Sequence, residues 1–337
     1  MAKLIYVADR LRRTASKLLA FLVPNSFHLK LRIRCIRSMY RLFDFRAQSD
    51  KKRFICYYKS GSPDCPGLAD RLKALVTGYV LATENGYPFY IYHDLGFQLR
   101  DYLLPAEVDW SLEESSISLG LNRISCIWFA AEMLKLNPRV KEYHLHCAGD
   151  ITENLEGELK DKYDFGRTFH KLFRPSPHLS QLLEKARHEC GIAENEYIAV
   201  HIRFLDFFET VESTRDTAFT RHATPEEQAA MIESIHRTVE QIHEQCGGRP
   251  IVLFSDSTTF LAAKHPSYVR ILPGQVGHIY VHADNQSVID KAFTDMFIIA
   301  GAAHVYNIVG PGTYKSGYSY MGARIGCKPF TRYERLM

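Results

Sequence analysis

Short apolar runs rich in Val, Ile, Tyr and Phe alternate with helix-length amphipathic segments along most of this chain, and this alternation constrains the fold more than any other feature. The run Arg53-Phe54-Ile55-Cys56-Tyr57-Tyr58 is followed by a loop of breakers, Lys59 to Gly67. A helix then buries Leu68, Leu72, Leu75, Val76, Tyr79 and Val80, and a second strand runs from Tyr87 to His93. Strand, helix, strand in that order predicts parallel pairing through a crossover helix. The pattern returns after residue 178. A helix over 179–190 precedes the strand Tyr197–Arg203. Thr224-Pro225-Glu226-Glu227 opens a long helix that Gly247-Gly248 ends, and Pro250–Ser255 makes a strand of the buried type. Strands at Tyr268–Leu272 and His304–Val309, a helix over 287–302 and a last helix beyond Gly310 complete the series. Residues 95–175 are less regular.

The expectation is an α/β chain with two Rossmann-like domains facing a cleft and a basic arm ahead of them. Its segments are 1–52 (arm), 53–177 and 178–337. The net charge of +4 conceals the arm: residues 1–53 carry 14 Lys and Arg against 3 Asp, which leaves −7 for the rest. Leu29, Leu31, Ile33 and Ile36 interleave there with Lys30, Arg32, Arg34 and Arg37. Such a stretch suits an anionic bilayer surface, or a helix packed on the body with its arginines in water; both readings stay open. The acidic body and the lack of nucleic-acid motifs count against a nucleic-acid binder. No apolar stretch reaches the length of a membrane span, and the eight cysteines show no CxxC spacing, so the cytoplasm is the expected location, at a membrane surface if the arm binds one.

In open α/β sheets, ligands bind beyond the carboxyl ends of the strands. His201, Arg203 and Asp206 follow one strand, Asp256 another, and Gly310 to Ser319 a third, while the Gly61–Gly67 loop does so in the first half. Arg203 is permanently charged and could fork onto a diphosphate. The Gly-rich turn before Ser316-Gly317-Tyr318-Ser319 could offer backbone N–H groups at a helix start. Each alone is as readily a salt-bridged arginine or a plain connection. His144 and His146 alternate on a predicted strand and read as structural. No Asp-x-Asp occurs, so the usual device for holding a divalent ion on a sugar nucleotide is missing.

Together these residues carry a resemblance. Val200-His201-Ile202-Arg203 with Asp206 resembles the H-x-R-x-x-D motif of the fucosyltransferases of GT-B-like fold: the α1,6 enzymes, the protein O-fucosyltransferases and the bacterial α1,2 enzymes. Leu253–Ser257 is similar to their second C-terminal motif. Ala292–Phe297 with Ser316–Gly322 is similar to their third, and Gly67–Leu72 and Phe173–Ser176 are similar to segments of their first half. Phe204-Leu205 and the enlarged loop between Val309 and Ser316 depart from the pattern. The resemblance implies metal-independent, inverting transfer from a nucleotide sugar, GDP-fucose, to a glycan, lipid-linked or other hydroxyl acceptor, with no cofactor. It assigns Arg203 and His201 to the diphosphate and Asp256 to the guanosine. Ser316, Gly317, Tyr318 and Ser319 are assigned to phosphate or fucose, with Asp295 bracing them. Gly67, Asp70 and Arg71 fall on the acceptor side, and Asp64, Asp70 or Asp206 would be the base. Another nucleotide sugar, or an inactive binding relative, remains open.

Overall fold

The computed structural model describes residues 36–43, 52–61, 66–127, 135–146, 149–204, 206–209, 223–277, 279 and 285–335. Apart from residues 36–43 and 52, the basic arm lies outside the described residues, as do Asp64 and Leu205. The chain divides into two compact units. One takes the residues up to Pro66 with Asp70–Leu99 and Pro105–Asp164; the other takes Gly67–Ala69, Arg100–Leu104 and everything from Phe165 onward.

The first unit is built on four parallel strands, β1 (Arg53–Tyr58), β2 (Phe89–His93), β4 (Ile124–Ile127) and β5 (Glu142–Leu145), in the order β2-β1-β5-β4. Helix α1 (Leu68–Glu84) makes the crossover from β1 to β2 and buries the apolar face read from the sequence. It packs closely on the sheet at Gly78, where a Cβ would sit 2.3 Å from Cys56 Sγ. Only glycine fits there.

The histidines read as structural form a buried polar network at the heart of this sheet. Tyr40 Oη lies 2.7 Å from His144 Nδ1 and 2.6 Å from His146 Nε2. His144 Nε2 reaches Glu142 Oε1 at 2.7 Å, and Arg53 Nε donates to Glu142 Oε2 at 2.5 Å. Ser118 N adds a bond to Glu142 Oε1 at 3.0 Å. Burial inside a sheet is tolerable for these groups because each is matched.

The second unit opens with helices α3 (Phe165–Leu172) and α4 (Pro177–Cys190), the short α2 (Gly157–Lys162) lying just ahead in the first. Its five parallel strands are β7 (Ile198–Ile202), β8 (Ile251–Ser255), β9 (Val269–Ile271), β10 (His304–Val309) and β11 (Phe330–Glu334), in the order β11-β10-β7-β8-β9. Edge strand β11 is absent from the sequence reading; its half-exposed, charge-interrupted run Phe-Thr-Arg-Tyr-Glu offers no apolar signal. A two-stranded pairing of β3 (Leu103–Pro105) with β6 (Phe173–Pro175) also goes unread.

Helix α5 (Pro225–Gln245) begins where Thr224-Pro225 predicts, with Thr224 and Glu227 closing a capping box, and buries Met231, Ile235, Val239 and Ile242 against the sheet. The short α6 (Thr258–Leu261) follows β8. Helix α7 (Gln286–Ala300) is N-capped by Asn285, whose side chain accepts from Ser287 N and Val288 N. Helix α8 (Gly317–Ile325) follows β10. No helix among the described residues is long and apolar enough to cross a membrane.

Candidate functional site

The strand order of the second unit locates a site by itself. From β7 the chain winds outward through β8 to β9, and from β10 it winds the other way to β11. The reversal falls between β7 and β10, and crevices at such switch points are where α/β sheets take ligands. His201 and Arg203 leave the carboxyl end of β7 here, and α8 starts just after β10.

His201 is only 6% exposed, and its Nδ1 has no hydrogen-bond partner among the described residues. Burial, with Arg203 nearby second, pushes its pKa down to about 3, so the ring is neutral at physiological pH. Asn307, opposite His201 in the β7–β10 register, donates from Nδ2 to His201 O at 3.1 Å. Its own Oδ1 is buried without a described partner, and so is Ser319 Oγ in the first turn of α8. Three unpaired buried polar atoms on adjoining elements are unusual in a folded chain, where such groups are nearly always satisfied. They are the arrangement a polar ligand or ordered water would complete.

Arg203 lies beside this cluster, close enough to act on the His201 ring, with its side chain 23% exposed. Its Nε lies 3.6 Å from Asp256 Oδ2, while Asp256 Oδ1 accepts from Phe204 N at 2.9 Å. Asp256 thus ties the end of β8 to the end of β7 and orients the guanidinium. The Tyr314 ring lies under that guanidinium, 5.6 Å from its carbon, and Tyr314 N donates to Arg203 O at 2.7 Å. Asp206 is 3% exposed, which places its carboxylate inside the unit.

At the start of α8, Ser316 caps the helix by accepting from Tyr318 N at 3.2 Å. A Cβ on Gly317 would meet nothing within 4 Å among the described residues, so the first residue of α8 is uncrowded by them. Tyr318 turns its hydroxyl inward to donate to Ala292 O, and its ring lies 5.7 Å from that of His201. The resemblance implied ligand contacts from all these hydroxyls; here Tyr318 Oη is committed to the interior, and Ser319 Oγ is the hydroxyl without a described partner. Asp295 lies behind, buried and bonded to Lys291 Nζ at 2.5 Å. Burial raises its pKa despite that lysine, and its charge adds to the burial that pushes the Tyr318 phenol well above its ordinary value.

In the first unit, Gly67 directly precedes α1 and Asp70 lies in its first turn, paired with Lys73 at 2.6 Å and 45% exposed at its side chain. Arg71 is buried and donates to Pro66 O at 2.8 Å and Leu95 O at 2.5 Å. Its guanidinium staples the loops that follow β1 and β2. Asp64 lies outside the described residues. Among the described residues no group of three His, Cys, Asp or Glu is placed to hold a metal ion.

Three site residues went unread in the sequence. Asn307 interrupts an apolar strand, and that polar break was the available signal. Tyr314 was one more residue of a Gly-rich turn. Glu209, which accepts from Ser257 Oγ at 2.7 Å and Thr259 N at 3.0 Å and so anchors the start of α6, has no signature in a polar loop.

No protein-family model matches the sequence, and no curated protein matches it either. Solved structures do. NodZ, an α-1,6-fucosyltransferase from Bradyrhizobium, in crystals soaked with GDP-fucose, superposes with a TM-score of 0.51 at 12% identity, over 82% of this chain and 93% of that one. NodZ co-crystallised with GDP gives 0.51 and 12% over 81% and 92%. A point variant of Arabidopsis thaliana FUT1 in complex with GDP gives 0.51 at 10% identity, over 96% of this chain and 77% of that one. What is shared at such identities is the fold. This chain has the GT-B-like α/β fold found in fucosyltransferases.

Proposed function

We propose that this chain is a metal-independent, inverting glycosyltransferase that passes fucose from GDP-fucose to a hydroxyl of a glycan or other acceptor, without a cofactor. The observation that carries the proposal is the cluster at the switch point of the second unit. There an arginine 23% exposed and held by Asp256, the N-terminus of α8, uncrowded at Gly317 by the described residues, and the buried groups of His201, Asn307 and Ser319 that lack a partner among the described residues come together. These are the complements of a diphosphate, and the GDP and GDP-fucose complexes of proteins sharing the fold support the choice of donor.

In this reading the acceptor oxygen attacks the anomeric carbon from the face opposite the diphosphate. A carboxylate, one of Asp64, Asp70 and Asp206, takes the hydroxyl proton as the bond to GDP breaks. Arg203 and the α8 N-terminus hold the charge that grows on the departing diphosphate. His201, kept neutral by burial, serves as a hydrogen-bond donor from the same strand end, Asp256 holds the guanosine, and the start of α8 with Ser319 Oγ holds phosphate and fucose, the Tyr318 hydroxyl being turned inward and Asp295 lying behind. Gly67, Asp70 and Arg71 shape the acceptor side.

Transfer of labelled fucose by wild type and by Arg203→Ala tests the proposal. Loss of one preorganised charge donor lowers turnover by ~100-fold or more. The fold should survive, because the pairing with Asp256 is long and partly exposed. Turnover within threefold of wild type would make Arg203 structural. The basic arm belongs to the same reading: it would hold the enzyme at the cytoplasmic face of an anionic membrane beside a lipid-linked acceptor. If the full-length chain fails to co-sediment with anionic vesicles at low salt, that location is wrong.

A further inference from the structure

Tyr314 is one of two large apolar side chains among the described residues that are prominently exposed, at 44%. A lone exposed aromatic needs no explanation on a mobile surface. This one is fixed. Thr313 donates from N and Oγ1 to Gly310 O at 3.1 and 3.0 Å, closing the turn ahead of it. Arg335 Nη2 donates to Pro311 O at 2.7 Å, and a Cβ on Gly312 would strike Met231 Cε at 2.6 Å, so the turn is clamped against the body. Gly312 also has φ 78°, a backbone conformation that favours glycine. Tyr314 N then bonds to Arg203 O, and the ring meets the Arg203 guanidinium while nearly half its surface faces solvent. The loop that carries it is, with Phe204-Leu205, one of the two places in which this sequence departs from the fucosyltransferase pattern.

We propose that Tyr314 is the platform for the sugar of the bound donor, a specificity-determining contact with the apolar face of a 6-deoxyhexose. The inference rests on the reading of Arg203 as the diphosphate anchor. In a nucleoside diphosphate sugar the β-phosphate bears the anomeric carbon, whereas the base lies beyond the α-phosphate and a ribose. A ring rigidly flanking the anchor is therefore within reach of the sugar. Its face attracts the C–H surface of the pyranose, and the methyl group of a 6-deoxy sugar enlarges that apolar surface relative to a hydroxymethyl. Because the loop is already closed, little ordering is required on binding.

The test compares GDP and GDP-fucose titrated calorimetrically, without acceptor, into wild type, Tyr314→Ala, Tyr314→Leu and Tyr314→Phe. The expected result is a roughly 10-fold loss of GDP-fucose affinity in the Ala and Leu variants with GDP affinity within twofold of wild type, and recovery in the Phe variant. Leu keeps apolar bulk without a flat face, so it separates stacking from packing. Parallel loss of GDP and GDP-fucose would mean that Tyr314 acts through Arg203 and would overturn the sugar contact, as would no loss of either. Wild type that binds no guanine nucleotide would overturn the donor reading itself, a distinct outcome.

Discussion

Replacing Glu142 by Gln removes one negative charge from the middle of the first unit's sheet while keeping nearly the same shape. The carboxylate there gathers three donors: Arg53 Nε at 2.5 Å, His144 Nε2 at 2.7 Å and Ser118 N at 3.0 Å. A Gln amide keeps one acceptor oxygen and turns its NH2 toward groups that are themselves donors. Arg53 is left as a buried cation without its counter-charge, the situation that costs about 3–5 kcal/mol. At about 2–4 °C per kcal/mol, the melting midpoint should fall by roughly 10 °C at pH 7. The pH arm follows from the sign of the shift. Burial pushes the Glu142 carboxyl up, but His144 and Arg53 together outweigh it and hold the group below its ordinary value. Its stabilisation is thus complete above the unfolded carboxylate range near pH ~4.5 and is lost as pH falls through the lower folded value. Calorimetric melts at pH 7 and at pH 4 or below should show a gap between wild type and variant that narrows with acid. A variant melting within 2 °C of wild type at pH 7 would refute the network as a source of stability.

Three further outcomes are expected from the structure. His93, His146 and His201 are each pushed down to about 3, mainly by burial, so the unfolded chain takes up protons near pH ~6.5 that the folded chain refuses. Stability should fall by up to ~1.4 kcal/mol per histidine per pH unit below that point, and a urea midpoint unchanged from pH 7 to pH 5 would contradict this. Gly317→Val places bulk in the open space before α8, so GDP affinity should drop by about 10-fold with the melting midpoint unchanged. Gly326→Ala, whose Cβ would lie 1.9 Å from Ala300 O, should instead lower stability by about 1–3 kcal/mol, and the reverse pattern would show that α8 does not face the ligand.

Much of the second unit was legible because its signals are local. Thr224 with Pro225 and Glu227 announces a helix within four residues, and β7, β8 and β10 are apolar runs bounded by breakers. His201 and Arg203 could be placed at a strand end from the sequence alone. Strand β11 could not, since its less exposed face offers only Thr331 and Tyr333, while Arg332 and Glu334 lie together on the open face. Nor could the Tyr40–His144 contact, which spans 104 residues. The switch point depends on the order in which strands pair, and no local pattern encodes that order. Hence His201 could be read at its strand end, while its adjacency to Asn307 could not.

Under the proposed function, the second unit binds guanosine diphosphate without a metal. A thermal-shift comparison of GDP, UDP, ADP and CMP, each with and without EDTA, tests it most directly. A ligand at 100 times its dissociation constant adds ~2.7 kcal/mol of stability, well within reach of the assay. The expected result is a rise with GDP that EDTA leaves unchanged and no comparable rise with the other three. Stabilisation by UDP and not GDP, or a GDP effect abolished by EDTA, would contradict it.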